Sequence, residues 1–89
     1  MKNVSDIINI DPEILGGTPV FRGTRVPIRF LFGNLESINL AEFLDDFDSV
    51  PKQKAIDLLE LASEVLTSPK FLELYEDFVR REHPEEVEI

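Results

Sequence analysis

The sequence contains no cysteine and a single histidine, at position 83. Without cysteine, disulfide frameworks, thiolate zinc sites and thiol nucleophiles are excluded, and one histidine leaves no imidazole pair for a metal ion. There is also no cleavable signal pattern and no run of about 18 apolar residues, which a membrane span requires. We therefore expect a cytoplasmic protein with no metal, no cofactor and no membrane contact.

Basic residues are scarce and unevenly placed. Nine lysines and arginines stand against 18 aspartates and glutamates, which gives a net charge of −9. Residues 1–29 hold four basic and three acidic residues (net +1), whereas residues 30–89 hold five and fifteen (net −10). Because an acidic body repels polyanions, we expect the isolated protein to bind nucleic acid poorly and to attract a basic protein partner.

The N-terminal cations cluster in a glycine- and proline-rich stretch, LGGTPVFRGTRVPIRFL, from Leu15 to Leu31. Before it, the β-branched residues of Val4–Ile10 predict a short strand that ends at Asp11-Pro12. Within it, the runs TPVF and RVPI predict a β-hairpin, in which Gly23 supplies the positive φ of a tight turn.

Capping signals and helical periodicity predict two short helices after the hairpin. Pro27 suits a first helical turn and indicates a helix from about Pro27 to Glu36. Its apolar residues are predicted to share one buried face: Ile28, Leu31, Phe32 and Leu35. Asn39 and Glu42 have the spacing of an N-cap pair and predict a helix over Leu40–Phe47.

Two longer helices are predicted in the second half of the chain. Start signals at Ser49 and Pro51 indicate a helix through Leu66, which buries Ile56, Leu59, Val65 and neighbouring residues. Ser68-Pro69 predicts the start of a fourth helix, followed by a charged tail that contains His83 and is not expected to fold alone. The fourth helix carries an apolar stripe: Phe71, Leu74, Tyr75, Phe78 and Val79.

The three helices after the hairpin match the arrangement of helix-turn-helix domains, in which two helices joined by a tight turn follow a third. The long helix is then the recognition helix, and its first turn offers Lys52, Gln53 and Lys54 to phosphates and base edges. Three acidic residues follow on the same helix and repel phosphates. The alternative is therefore an ordinary solvated helix N-terminus.

A longer pattern resembles a known family. The segments DPEILGGTPVFRGTRVPIRFLFGNLES, LAEFLDDF and QKAIDLLELA resemble the bacterial family called domain of unknown function 433, over about Ile7 to Ala62. The resemblance implies a homeodomain-like helical fold and, in many members, the role of antitoxin beside a PIN-like ribonuclease toxin. We therefore predict a β-hairpin and three-helix core over residues 1–67, with an added amphipathic helix and acidic tail over residues 68–89.

The suspected toxin gives the arginines a hypothetical role. PIN-type nucleases gather aspartates around a divalent metal, and a guanidinium can bind two carboxylate oxygens in its place. On this hypothesis Arg22, Arg25 and Arg29 contact the toxin, and the aromatic residues Phe71, Tyr75 and Phe78 add apolar contacts. The alternative for the arginines is structural, with pairing to nearby carboxylates. The stripe can instead join two copies or cover the three preceding helices.

We therefore predict an antitoxin that inhibits a PIN-like ribonuclease. In complex with this toxin it is expected to repress its own operator DNA, and the antitoxin itself is expected to form a homodimer. The alternatives are a stand-alone helix-turn-helix regulator and a small protein-interaction adaptor. An enzyme is not expected, because paired acids such as Asp45-Asp46 project apart on a helix and no nucleophile or base accompanies them.

Overall fold

The structure, a computed structural model, describes residues 3–82. His83 and the rest of the predicted acidic tail lie outside the described residues. The chain divides into two compact units, one that ends at Leu59 and another that begins at Glu60. The division falls inside a helix, and the predicted boundary between residues 67 and 68 stays a prediction.

The first unit begins with one helical turn and a two-stranded antiparallel sheet. Helix α1 spans Val4–Ile7, strand β1 spans Ile8–Asn9 and strand β2 spans Val20–Phe21. In the sheet Ile8 lies opposite Phe21. The prediction of a strand over Val4–Ile10 is therefore wrong in its first half, where the chain is helical and Ile7 alone is buried.

The predicted N-terminal β-hairpin is confirmed. Val20 of β2 forms an antiparallel bridge with Pro27, and the Phe21 N–H donates to the Val26 carbonyl at 3.0 Å. Gly23 lies in the turn with a φ of +84°. The left-handed backbone required there is accessible to glycine at little cost, which accounts for its position.

Four helices follow the hairpin, as predicted, so the fold is mainly α-helical. They are α2 over Arg29–Asn34, α3 over Leu40–Asp46, α4 over Lys52–Leu66 and α5 over Pro69–Glu82. Between Leu15 and Gly17 the chain forms a short 3₁₀ turn.

Side-chain caps determine where two of these helices begin. The Asn39 side chain accepts from the Glu42 N–H at 2.9 Å, and the Glu42 carboxylate accepts from the Asn39 N–H at 3.2 Å. This reciprocal capping box satisfies two backbone donors at the start of α3. At α5, the Phe71 N–H donates to the Ser68 hydroxyl at 3.2 Å.

Aromatic rings connect the hairpin with α2 and α3 in the first unit. The ring centroids of Phe21 and Phe43 are 6.5 Å apart, and those of Phe43 and Phe47 are 4.8 Å apart. Phe30 continues the series, with its centroid 5.8 Å from that of Phe47. Leu31 is the buried residue of α2, whereas Phe32, predicted to be buried, is 45% exposed.

The buried face of α4 differs from the predicted one. Ala55, Leu58 and Leu61 are buried, whereas Val65 is 51% exposed and Ile56 and Leu59 are half-buried. The apolar residues of α4 occur in adjacent pairs, so two different faces of the helix each carry apolar residues at helical spacing, and the sequence does not show which face is buried. Within residues 3–82, no helix is both long enough and apolar enough to cross a membrane.

Candidate interaction surfaces

Arg22 and Lys54 come together at the end of α1, although the sequence assigned them to different partners. The Arg22 Nε donates to the Ser5 carbonyl at 2.8 Å, and the Lys54 Nζ donates to the Asp6 carbonyl at 2.6 Å. The Arg22 backbone N–H also donates to the Ile7 carbonyl at 2.8 Å. Two residues from the hairpin turn and α4 therefore hold three consecutive carbonyls of the N-terminal turn.

This contact set, which we call the α1 clamp, explains a helical turn of only four residues. The last carbonyls of a helix have no partner within the helix, and short isolated helices are marginal in water. Cations near a helix C-terminus also interact favourably with its partial negative charge. Arg22 and Lys54 thus supply both the missing donors and the positive charge, and the structure gives both residues a structural role.

Arg25 has a different environment from Arg22. Its side chain is exposed, and it forms no hydrogen bond or ion pair within residues 3–82. The turn that carries it is held firmly: the Thr24 hydroxyl donates to the Phe21 carbonyl at 2.9 Å and accepts from the Val26 N–H at 3.0 Å. The backbone at Arg25 is thus fixed while its guanidinium is available.

Arg29 begins α2 and lies over an aromatic ring. Its guanidinium carbon is 5.3 Å from the centroid of the Phe30 ring, within the range of a cation–π contact. Phe30 is 37% exposed, and its ring also lies near that of Phe47, with centroids 5.8 Å apart. Arginine and phenylalanine together at a surface are residue types enriched in protein interfaces. Sequence reasoning missed Phe30, whose adjacency to Arg29 was the available signal.

The three residues predicted to contact DNA lie in the first turn of α4, and their availability differs. The Gln53 Nε2 donates to the Asp57 carboxylate at 2.8 Å, and Lys54 belongs to the α1 clamp. Lys52 is exposed and has no hydrogen-bond or ion-pair partner among the described residues. Of the three, Lys52 is therefore the side chain available to a phosphate.

Helix α5 contains no buried residue. Four of its apolar side chains are between 43% and 58% exposed: Leu72, Leu74, Tyr75 and Phe78. The rings of Phe71 and Phe78 are tilted by 39° relative to each other, with centroids 6.3 Å apart. The structure thus places the aromatic residues predicted to contact the toxin on one exposed surface of the second unit. The arginines predicted to contact the toxin, Arg22, Arg25 and Arg29, lie in the first unit.

The sequence model of a family described as "Protein of unknown function (DUF433)" matches residues 8–62, more than half of the chain. The chain belongs to the DUF433 family. In this DUF433 protein the matched segment includes β1, the hairpin turn, α2, α3 and the larger part of α4, whereas α5 lies outside it. No curated protein and no solved structure matches the chain.

The residue types that bind metals are dispersed in the described part of this DUF433 protein. Within residues 3–82, no group of three or more histidine, cysteine, aspartate or glutamate side chains lies close enough to hold a metal ion. The predicted site residues that stay available are cationic or apolar, and side chains of those kinds bind carboxylates, phosphates and other apolar surfaces.

Proposed function

We propose that this DUF433 protein is the antitoxin of a type II toxin–antitoxin pair that binds and inhibits a PIN-like ribonuclease. The resemblance of its glycine- and arginine-rich stretch to antitoxins of this family supports the proposal. The observation that carries it is Arg25, an exposed guanidinium without a partner in residues 3–82, on a turn fixed by Gly23 and Thr24.

The proposed inhibition is electrostatic. A guanidinium stays protonated and donates two parallel hydrogen bonds to a carboxylate, which suits it to a cluster of aspartates that otherwise binds a divalent metal. Because the turn is already ordered, little conformational entropy is lost when Arg25 binds. Arg29 supplies a second cation four residues further along the chain, whereas Arg22 acts indirectly by holding α1.

Arg25→Ala is the decisive test, in an RNA-cleavage assay with the PIN-like ribonuclease that the proposal expects as the product of a neighbouring gene. A lost charged hydrogen bond is worth about 1.5–3 kcal/mol, so the inhibition constant should rise roughly 10- to 100-fold. Arg25→Lys keeps the charge but not the bidentate geometry and should recover part of the loss. The thermal midpoint should stay unchanged for both variants.

Two results would contradict the antitoxin proposal. One is a toxin that neither binds nor is inhibited by the wild-type protein at micromolar concentration. The other is full inhibition by Arg25→Ala, which would show that the exposed guanidinium does not contact the nuclease. Thr18→Ala is a matched control, because Thr18 lies in the same glycine-rich stretch and donates locally to the Leu15 carbonyl at 2.9 Å.

DNA binding is proposed as a second activity that requires the toxin. Lys52 supports it, because this side chain lies exposed at the start of α4, where it can reach a phosphate. The net charge of −9 opposes binding by the protein alone, and a basic toxin would neutralise part of it. Tight operator binding by the isolated protein would favour the stand-alone regulator instead.

A further inference from the structure

The apolar face of α5 is exposed, and the inhibition proposed above, which rests on Arg25 and Arg29, does not use it. Leu72, Leu74, Tyr75 and Phe78 are each at least 43% exposed, and Phe71 and Val79 are half-buried. At about 100° per residue these six side chains occupy one side of the helix. Monomeric proteins seldom leave such a contiguous apolar surface uncovered.

Charge indicates which kind of partner suits this face. Helix α5 carries three basic and four acidic residues, so its net charge is −1. Residues 36–68 carry two basic and eight acidic residues, a net charge of −6. A basic protein partner is best matched by the strongly acidic segment. A face that is close to neutral, with both signs along its borders, is matched by a second copy of itself.

The borders of the apolar face carry opposite charges. With the same 100° spacing, Lys70 and Arg81 lie along one border and Glu76 lies along the other, while Glu82, the last residue of α5, falls in line with the centre of the apolar face. The Arg81 guanidinium carbon is 5.9 Å from the centroid of the Phe78 ring, so this side chain reaches over the apolar face. On the polar side, Arg80 pairs with Asp77 at 3.4 Å.

We propose that α5 is a self-association surface in which two copies pack their apolar faces with the helices parallel. A parallel pair places the basic border of each copy against the acidic border of the other, so Arg81 faces Glu76 of the second copy. An antiparallel pair would bring Lys70 against Arg81 and Glu76 against its own counterpart. The parallel pair gains two Arg81–Glu76 pairs against one repulsion between the two Glu82 side chains at the helix ends, whereas the antiparallel pair has only like charges across its borders. The charges therefore favour the parallel orientation.

The expected dimer is weak. A helix of 14 residues is about 21 Å long, and two such helices bury less than the roughly 800 Å² per partner of a standard interface. We expect a dissociation constant in the micromolar range. Sedimentation equilibrium of the full chain from 1 to 200 µM should show a monomer–dimer transition, whereas a monomer throughout this range would overturn the proposal.

Charge reversal tests the pairing across the borders. Arg81→Glu should raise the dissociation constant about tenfold, because each dimer loses two attractive pairs and gains two repulsive ones. Adding Glu76→Arg in the same chain should restore dimerisation. Arg80→Glu is the matched control and should leave it unchanged, since Arg80 lies on the polar side. Equal effects of Arg81→Glu and Arg80→Glu would contradict the assignment.

Crosslinking tests the orientation, and the absence of native cysteine makes it clean. A disulfide needs Cα atoms within about 7 Å, which a parallel pair provides between identical positions near the centre of the face. Phe71→Cys and Phe78→Cys, towards opposite ends of α5, should both crosslink on oxidation, and Glu73→Cys on the polar side should not. An antiparallel pair would separate the two Phe71→Cys positions by about 13 Å along the axis and leave them uncrosslinked.

Binding of the toxin to the same face of α5 would give results different from those of self-association. If α5 binds the toxin instead of a second copy, Arg81→Glu lowers inhibition while the free protein stays monomeric at every concentration, and self-association is refuted. If the antitoxin proposal fails but α5 self-associates, the protein dimerises and no ribonuclease is inhibited. The two proposals therefore fail by different measurements.

Discussion

Removal of the α1 clamp should destabilise the first unit by an amount that separates structural from partner-binding arginines. Arg22→Ala deletes the 2.8 Å hydrogen bond from Nε to the Ser5 carbonyl, and Lys54→Ala deletes the 2.6 Å bond to the Asp6 carbonyl. A typical intramolecular hydrogen bond contributes about 1 kcal/mol net, which fits exposed donors like these. Each substitution should therefore lower the thermal midpoint by about 4–8 °C.

The double variant tests whether the two contacts hold one element. Because both bind consecutive carbonyls of the same turn, loss of either should loosen α1 and weaken the other. The cost of Arg22→Ala with Lys54→Ala should then be less than additive, by at least about 0.5 kcal/mol. Hydrogen exchange at residues 4–9 should accelerate in either single variant, since local opening exposes these amides.

Arg25→Ala is the matched control, because Arg25 is also exposed and lies three residues from Arg22. With no partner to lose within residues 3–82, it should change stability by less than about 0.5 kcal/mol. Equal thermal midpoints for Arg22→Ala and Arg25→Ala would refute the reasoning, and so would strictly additive costs with unchanged exchange at residues 4–9. Urea unfolding followed by circular dichroism provides an independent measurement.

Two further predictions concern the turn and DNA. Gly23→Ala should cost about 1–2 kcal/mol, because its φ of +84° is unfavourable for a side chain even though an added Cβ meets no atom within 4 Å. Gly33→Ala, in α2 and equally unobstructed, should stabilise by up to about 1 kcal/mol, and shifts of the same sign in thermal unfolding would contradict this. Lys52→Ala should reduce the slope of log affinity against log salt concentration, for operator binding by the toxin complex, by about one phosphate contact. Gel shifts at several salt concentrations measure this slope, and an unchanged slope would show that Lys52 does not contact the DNA.

The features predictable from sequence were those set by neighbouring residues. The helices α3 and α5 were found because Asn39 with Glu42, and Ser68 before Pro69, form caps within a few residues. The hairpin turn was found because few residues other than glycine adopt the left-handed conformation that Gly23 has in this turn. These signals act within one helical or β turn, so a linear pattern contains them.

The features that could not be predicted depend on distant residues. Segment Val4–Ile7 has the β-branched composition of a strand, yet it is helical because donors 17 and 48 positions away satisfy its carbonyls. A carbonyl acceptor leaves no mark on residue type, so sequence reasoning had no signal for the clamp. The buried face of α4 was missed for a related reason, since tertiary packing chose between two faces with similar periodicity.

The α1 clamp also reduces the number of basic side chains that are available to bind a partner. From sequence, Arg22 could not be distinguished from Arg25 as a toxin contact, nor Lys54 from Lys52 as a DNA contact, because charge and position in a turn do not reveal hydrogen bonds. The side chains of Arg22 and Lys54 donate hydrogen bonds to carbonyls of α1, and a partner that bound these side chains would have to break both hydrogen bonds. Such displacement would cost the stability the clamp provides. In the first unit, Arg25 and Arg29 are therefore the side chains best suited to bind an acidic surface, and Lys52 is best suited to bind a phosphate. None of these three side chains loses a bond to a carbonyl or carboxylate of residues 3–82 when it binds a partner.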